Sequence, residues 1–323
     1  MTWDDTGAVA RSLAVLEAVR RHEQPWSHPC TADWLALSIR HGWDGEPATH
    51  FLATLDGTDV ATATYETTTY DNVHLAWLGV DVHPEHRRRG HGSAVLEHLM
   101  ARARREGRTS VGMDGWDLPG PPAFARKHGF EQKQVSVNRR QHLARIDRAA
   151  LDRLHAEALV AASDYELLHR VGLTPEEELP ALSELAASIN DAPTDDLDVE
   201  DEAYPPERIV AYEAAQAARG HVLHRVIARH RETGELAGHT AVAVETLRPG
   251  IGHQHDTSVV RAHRGHRLGV LLKTDMVRWL AEAQPQLETI DTWNAESNDH
   301  MIGVNEALGY EVNARALAFQ RSL

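Results

Sequence analysis

The sequence holds one cysteine, Cys30, among 323 residues. A single cysteine excludes an intrachain disulfide and any metal cluster built on cysteine thiolates. The chain also lacks a run of the roughly 18 apolar residues that a membrane-spanning helix requires. Its N-terminal residues are acidic and do not resemble the apolar segment of a secretory signal peptide. These absences predict a cytoplasmic protein with no membrane partner.

Positive charge is scarce as well. The chain has 33 lysines and arginines against 48 aspartates and glutamates, for a formal net charge of −15. This excess disfavours nucleic acid as a partner and suits a cationic substrate such as a free amine. The histidines show no His-Glu-x-x-His or comparable ligand spacing, so we expect no metal. We expect a monomer or a homodimer.

One segment of the sequence occurs twice. The first copy, residues 83–93, reads HPEHRRRGHGS, and the second, residues 261–270, reads RAHRGHRLGV. Aligning Gly92 with Gly269 gives an offset of 269 − 92 = 177 residues. This distance is too long for a solenoid repeat and matches a duplicated domain. We therefore expect two domains, residues 1–150 and 151–323.

Both halves show the same order of predicted elements, in which a strand runs into the basic turn and a helix follows. Apolar residues at helical or alternating spacing carry these assignments. The predicted helices are residues 7–21, 92–105, 146–162 and 269–283, with two short helices that end at Gly129 and Leu308. The predicted strands are residues 51–55, 60–67, 74–82, 110–113, 134–137, 222–228, 239–244, 257–260 and 289–293. We expect the acidic segment 193–206 to be an exposed loop.

The basic turn has the composition of an anion site. A helix start offers unpaired backbone N–H groups and the positive end of the helix dipole, which favour a phosphate or pyrophosphate. Glycine lets a ligand approach the backbone closely. The spacing is neither Gly-x-Gly-x-x-Gly nor that of a nucleotide-triphosphate loop. What remains is Arg-x-x-Gly-x-Gly, after a strand that ends in Val82.

This pattern resembles the acyl-CoA pyrophosphate motif of the GNAT superfamily of N-acetyltransferases, Arg/Gln-x-x-Gly-x-Gly/Ala. The resemblance covers most of both halves and is similar to tandem GNAT proteins. It implies an α/β (α+β) fold of two tandem GNAT-type domains, each with a mixed, splayed central sheet flanked by helices. It also implies acetyl-CoA as acyl donor and a primary amine, expected to be that of a small molecule, as acceptor.

The resemblance also implies which residues bind the donor. In the family, the backbone of the strand before the turn pairs with the pantetheine arm, and the amides of the turn hold the pyrophosphate. The implied strand positions are Val80, Asp81 and Val82 in the first copy, and Thr257, Ser258 and Val259 in the second. The implied turn positions are Arg88, Arg89, Gly90, His91, Gly92 and Ser93, with Gly265, His266, Arg267, Leu268, Gly269 and Val270.

Each copy departs from the family pattern at a different place. Arg267 stands where the first copy has Gly90, and we expect an arginine there to be compatible with a helical backbone. Family members often carry a distal Asn that contacts the donor and a Tyr that can protonate the departing thiolate. The second copy keeps Asn298 but has Asn305 at the Tyr position. The first copy has Leu118 and Ala125 at these places.

The general base is predicted from its place beside the donor strand. Glu66 and Glu245 each lie near the end of the strand before it, and a carboxylate there can take a proton from the amine. His255, Asp256 and His74 are the alternatives, and we expect Trp77 and Trp293 to be packing residues. Two other functions stay open: acetylation of a protein lysine or N-terminus, and acyl-CoA binding or sensing without catalysis.

Overall fold

The computed structural model describes residues 1–323 and divides into two compact units. The first unit comprises Met1–Ser136, Thr194–Asp201 and Arg315–Leu323, and the second comprises Val137–Pro193 and Glu202–Ala314. The division therefore differs from a single boundary at residue 150. The first unit is completed by two segments that come much later in the chain.

The elements follow in chain order. The helices are α1 (Thr6–Glu23), α2 (Ala32–His41), α3 (His91–Arg105), α4 (Gly120–Lys127), α5 (Arg148–Ala161), α6 (Leu179–Ala186), α7 (Pro206–Ala218), α8 (Leu268–Ala283) and α9 (Asp299–Ala307). The strands are β1 (Thr49–Leu55), β2 (Thr58–Glu66), β3 (Leu75–Val82), β4 (Ser110–Trp116), β5 (Glu131–His142), β6 (Tyr165–Val171), β7 (His221–His230), β8 (Leu236–Glu245), β9 (Ile251–Val259), β10 (Thr289–Ala295) and β11 (Tyr310–Ser322). No helix has the length and apolar character needed to cross a membrane.

The first unit has a mixed sheet in the order β1-β2-β3-β4-β11. β1, β2 and β3 are antiparallel neighbours, β3 and β4 are parallel, and the end of β11 runs antiparallel to β4. Helix α3 packs its apolar face on this sheet through Leu96, Leu99 and Met100, each at most 3% exposed. Burial of these side chains is the main force that holds the helix in place.

The second unit has a sheet in the order β5-β10-β9-β8-β7-β6. β6, β7, β8 and β9 are antiparallel neighbours, and β9 and β10 are parallel. Helix α8 is the counterpart of α3 and buries Leu271, Leu272, Met276 and Leu280 against the sheet. Each unit is thus a mixed sheet with helices packed on it, which confirms the predicted fold class.

Candidate acyl-donor and acceptor site

The first basic turn is held in a conformation that needs two left-handed residues. Arg88 has a φ of 62° and Gly90 a φ of 91°. Gly90 is also the N-cap of α3, and no side chain caps this helix. The first N–H groups of α3 therefore have no intrahelical partner and are open to an anion. A Cβ at Gly90 would meet nothing within 4 Å, so the space above the turn is clear.

The second basic turn has the same backbone, but its glycine comes first and its arginine second. Gly265 has a φ of 88°, and Arg267, the uncapped N-cap of α8, has a φ of 56°. Arg267 is thus in the left-handed region and not in the right-handed helical backbone expected from the sequence. An arginine in this region costs about 1 kcal/mol relative to glycine. The duplicated loop keeps its shape although the glycine has moved by two residues.

Each turn is anchored in the same way by an arginine of its own. The Arg87 Nε donates to the carbonyl oxygen of Val82 at 3.0 Å, and the Arg264 Nε donates to that of Val259 at 3.1 Å. Each arginine also binds a carboxylate, which is Glu23 in the first unit. The anchor fixes the turn on the end of its strand. This arginine is therefore structural in both copies.

The remaining arginines differ in whether they have acidic partners. Arg88 and Arg89 are exposed and form no ion pair. In the second turn, by contrast, Arg267 binds Glu157 at 3.0 Å and Arg261 binds Asp191 at 2.8 Å. Two unpaired guanidinium groups beside open N–H donors suit a pyrophosphate. The first turn therefore fits the phosphates of an acyl-CoA better than the second.

The strands that run into the turns separate from their neighbours after a short ladder. β3 pairs with β4 only from Leu75 to Trp77, and β9 pairs with β10 only from Ile251 to His253. Beyond these pairs one edge of each strand is free to hydrogen-bond a ligand. The predicted pantetheine positions all lie on these free stretches: Val80, Asp81 and Val82 on β3, and Thr257, Ser258 and Val259 on β9.

A row of side chains crosses the sheet where the first unit begins to splay. Glu66 on β2 lies opposite Trp77 on β3, which in turn lies opposite Gly112 on β4. The Trp77 ring covers Gly112 so closely that a Cβ there would lie 2.2 Å from the ring. The Trp77 Nε1–H donates to Asp114 at 2.7 Å. Trp77 packs as predicted, and it also orients a carboxylate.

Glu66 has the properties of a proton acceptor. Its side chain is exposed at the strand end and hydrogen-bonds to no protein group. Desolvation by the surrounding protein, together with the carboxylates of Asp44 and Asp114, raises the pKa of Glu66 above its ordinary value. A base with a raised pKa binds a proton more strongly, which suits removal of a proton from an amine.

Glu245 has a different environment. It is 3% exposed, accepts two hydrogen bonds from Arg248 at 2.6 and 2.7 Å, and bonds His253 at 2.7 Å. Although burial opposes ionisation, the bonds from His253 and Arg248 lower the pKa of Glu245 to about 2. A carboxylate held in this way is a weak base, so its place in the structure argues for a structural role.

The strand register explains why the two glutamates are not equivalent. The last residue of β9 that pairs with β10 is His253, and the residue opposite it on β8 is Ala243. Ala243 therefore holds the place that Glu66 holds in the first unit. Glu245 lies two residues further from the point of splay. A register shift between Thr240 and Val242 marks a bulge in the second copy that the first copy lacks.

The alternative bases lie in three settings. Tyr212 and His255 are hydrogen-bonded, and burial holds the pKa of His255 well below its ordinary value. Burial, together with the charge of Glu202, raises the pKa of Asp256 to about 6. His74 lies 3.7 Å from Asp198. Asp256 is the one carboxylate among these three residues, and it accepts no hydrogen bond from the protein.

The distal residues of the second copy are used within the protein. The Asn298 side chain caps α9 by accepting from the Met301 N–H at 3.2 Å. Asn305 accepts a hydrogen bond from the Lys273 Nζ at 2.6 Å and donates one to Asn294 at 2.7 Å. These contacts stabilise the second unit, and Asn305 is fully buried. Asn305 therefore cannot replace the missing tyrosine as an acid.

The sequence interpretation missed Asp114 and Asp44. Asp114 follows three apolar or small residues near the end of a strand, where a charged side chain is unusual and is a usable signal. Asp44 lies in the loop after α2, a helix that was not predicted. Its proximity to Glu66 depends on how that loop folds, which no local pattern indicates.

Comparison with known proteins agrees with this geometry. Residues 13–130 match the acetyltransferase (GNAT) family. The chain is 31% identical over 148 residues to a mycothiol acetyltransferase of Stackebrandtia nassauensis, a match that covers 44% of this chain and 46% of that protein. A mycothiol acetyltransferase of a Parafrankia strain is 27% identical over 150 residues. The matches thus span about half the length of these curated relatives.

Solved structures extend the likeness to the whole chain. A tandem GNAT protein from the clavulanic acid biosynthesis pathway superposes with a TM-score of 0.80 and 26% identity, covering 100% of this chain and 97% of that one. A GCN5-related N-acetyltransferase from Sphaerobacter thermophilus shares the fold, with a TM-score of 0.71 and 13% identity over 98% of this chain. Domains of the GNAT family take their acyl group from acetyl-CoA. Residues 13–130 therefore match a GNAT acetyltransferase domain, and the chain as a whole has the fold of a tandem GNAT protein.

Proposed function

We propose that the first unit transfers an acetyl group from acetyl-CoA to the primary amine of a small molecule. The observation that carries this proposal is the row of Glu66, Trp77 and Gly112 at the point where β3 leaves β4. It joins an accessible carboxylate to the strand edge on which the donor arm lies in this family. The second unit lacks a carboxylate at the matching position.

The donor is held mostly by backbone. The amides of residues 88–93 and the guanidinium groups of Arg88 and Arg89 bind the pyrophosphate, and the free edge of Val80–Val82 pairs with the pantetheine arm. Glycine at position 92 suits this close packing, because a Cβ there would lie 3.2 Å from the Val82 side chain and 3.4 Å from that of Phe124.

The transfer needs a base and a donor of hydrogen bonds. Glu66 takes a proton from the amine, the nitrogen lone pair forms the new N–C bond, and the C–S bond breaks with its electrons on sulfur. An N–H group on the free edge of β3 stabilises the negative charge on the carbonyl oxygen. A thiol with a pKa of about 8.5 can leave near neutral pH without a strong acid. The missing tyrosine is therefore compatible with turnover.

The acceptor side is built for a positively charged molecule. Glu66, Asp44 and Asp114 place three carboxylates around the entrance to the reacting centre, and an indole ring lies between two of them. An ammonium ion is attracted both by carboxylates and by the face of an indole. Two of the similar proteins are described by small metabolites: one is a mycothiol acetyltransferase, and one comes from the clavulanic acid biosynthesis pathway. These observations favour a small amine over a protein.

The test is release of CoA thiol from acetyl-CoA in the presence of a panel of primary amines, amino acids and amino sugars. We expect release that depends on the amine and yields the acetylated product by mass spectrometry. A protein extract added in the same assay tests the protein-amine alternative. Binding of acetyl-CoA without transfer to any amine or extract would show that the chain is a sensor and would refute the proposal.

A further inference from the structure

We propose that Asp114, held by the indole of Trp77, binds the ammonium group of the incoming amine and delivers it to Glu66. This inference rests on the proposed function of the first unit. Asp114 is then a second substrate-binding carboxylate, and Trp77 is the residue that positions it. Neither residue belongs to the motif by which the domain is recognised.

The position of Asp114 is set by Trp77 on the neighbouring strand. β3 and β4 are joined only by the Leu75–Ser110, Ala76–Val111 and Trp77–Gly112 pairs, so Asp114 lies two residues beyond the last of them. At this place β4 has already left β3, and no ladder bond ties the carboxylate to the adjacent strand. The 2.7 Å bond from the Trp77 Nε1–H bridges the opening.

Trp77 itself cannot easily move. Its ring lies against the bare backbone of Gly112, where any side chain would collide with it. Its Cα is paired with Glu66 on the other side. Adjacent strands lie about 4.8 Å apart, so the row from Glu66 to Gly112 spans about 10 Å. The two carboxylates, Glu66 and Asp114, therefore face one space with the indole between them.

The charges around this space are all negative. Asp44 from the loop after α2 and Asp114 from β4 both face Glu66, and no lysine or arginine pairs with Glu66 or Asp114. Neighbouring carboxylates repel one another, and a cation placed between them is bound favourably. An ammonium group placed between Asp114 and Glu66 relieves this repulsion and supplies the proton that Glu66 removes.

The two carboxylates have different tasks because their hydrogen bonds differ. Desolvation raises the pKa of Asp114, and the bond from Trp77 opposes that rise by stabilising the charged form. Glu66 has no such donor. The Trp77 donor favours the charged form of Asp114, which suits an anchor for the ammonium group, while Glu66 accepts the proton. The second unit has no such pair of carboxylates. Ala243 lies at the place of Glu66, and Trp293, two residues beyond the last β9–β10 pair, lies at the place of Asp114.

The test compares Asp114→Asn and Trp77→Phe with the wild-type chain, using steady-state kinetics at several pH values. Asp114→Asn keeps the size of the side chain but removes its charge. We expect KM for the amine to rise on the order of tenfold, as for a lost charged hydrogen bond. We also expect the acid limb of the kcat/KM profile to move to lower pH, because Glu66 loses a negative neighbour. Affinity for acetyl-CoA should not change.

Trp77→Phe keeps a ring over Gly112 and removes only the N–H donor, so it should change KM in the same direction by a smaller factor. Asp56→Asn is the matched control, since Asp56 lies in the β1–β2 turn and its φ of 49° is well tolerated by asparagine. Asp114→Asn with an unchanged KM and an unmoved acid limb would overturn the inference while leaving the proposed function intact. Absence of transfer to every amine by the wild-type chain would overturn both.

Discussion

The two basic turns share their backbone and differ in their charges. In the first, Arg88 and Arg89 have no acidic partner, and Glu66 at the splay has no cationic one. In the second, Arg267 binds Glu157, Glu245 binds Arg248 and His253, and Asp291 binds Arg140. The charged side chains near the second turn are thus paired with one another, whereas those of the first turn and splay are open to a ligand. The two turns therefore share a shape and differ in the charge that they offer.

The two units also differ in the polarity of the core beneath the turn. Lys273 in α8 stands 177 residues after Leu96 in α3, and both are fully buried. Lys273 bonds Asn305, and its Nζ lies 4.8 Å from the centre of the Tyr310 ring. The first unit has Ala125 and Phe130 at the matching places. A polar network in the second unit thus takes the place of an apolar contact in the first.

The sharpest contrast is expected between Glu66→Gln and Glu245→Gln in the transfer assay. Glu66→Gln should lower kcat/KM by about 10²–10⁴, the usual effect of losing a general base. Glu245→Gln should keep activity within a few-fold, because Glu245 is held by its own partners. Initial rates of CoA thiol release measure both. The opposite ranking would place the chemistry in the second unit.

The same two variants should reverse their order in stability. Glu245→Gln removes the carboxylate that binds Arg248 and His253 and should lower the free energy of unfolding by about 2–3 kcal/mol. Glu66→Gln should change it by less than about 0.5 kcal/mol, as for an exposed side chain. Urea unfolding followed by circular dichroism measures both values. Equal losses would show that Glu66 is also a structural carboxylate.

Because of Lys273, the free energy of unfolding of the second unit should depend on pH. Burial lowers the pKa of Lys273 from 10.5 to about 7. Between these values the unfolded chain binds one more proton than the folded chain, so stability rises with pH by up to about 1.4 kcal/mol per unit. We expect Lys273→Leu to remove this slope between pH 7 and pH 10. Lys127→Leu, a change at an exposed site, is the control, and a slope that survives in Lys273→Leu would refute the assignment.

The smallest effect is expected at the turns themselves. The double change Arg88→Ala and Arg89→Ala should weaken acetyl-CoA binding about tenfold, and the loss should shrink as salt is added. Arg267→Ala should have little effect, because its guanidinium is already neutralised by Glu157. Titration calorimetry at two salt concentrations checks this difference. Equal losses from the two variants would mean that both turns bind phosphate.

The sequence predicted the parts of the fold that rest on local pattern. The helices after the two turns and most strands were found within a few residues, because their apolar faces are regular. α7 was missed because it buries Arg208, Glu213 and Gln216, so its inward face does not look apolar. β9 was recognised only at residues 257–260, since its earlier part is a polar run of histidine, glutamine and aspartate.

Contacts between residues far apart in the sequence could not be predicted. Nothing in residues 315–323 indicates that they pair with β4 and complete the first unit. Glu66 and Glu245 are not equivalent in the structure, because β8 continues two residues past Ala243, which lies at the place of Glu66. The partners of Glu245 come from residues three and eight positions away, and only the nearer, Arg248, is suggested by spacing. The motif predicted the donor site well, while the acceptor side depended on tertiary contacts.

The central claim is that the first unit, and not the second, holds the reacting acetyl group. The most direct measurement is a crystal structure of the chain with acetyl-CoA. The account predicts a pyrophosphate on the amides of residues 88–93 and the acetyl group beside the row of Glu66 and Trp77. A donor found only on residues 265–270, with its acetyl group beside β9, would contradict it.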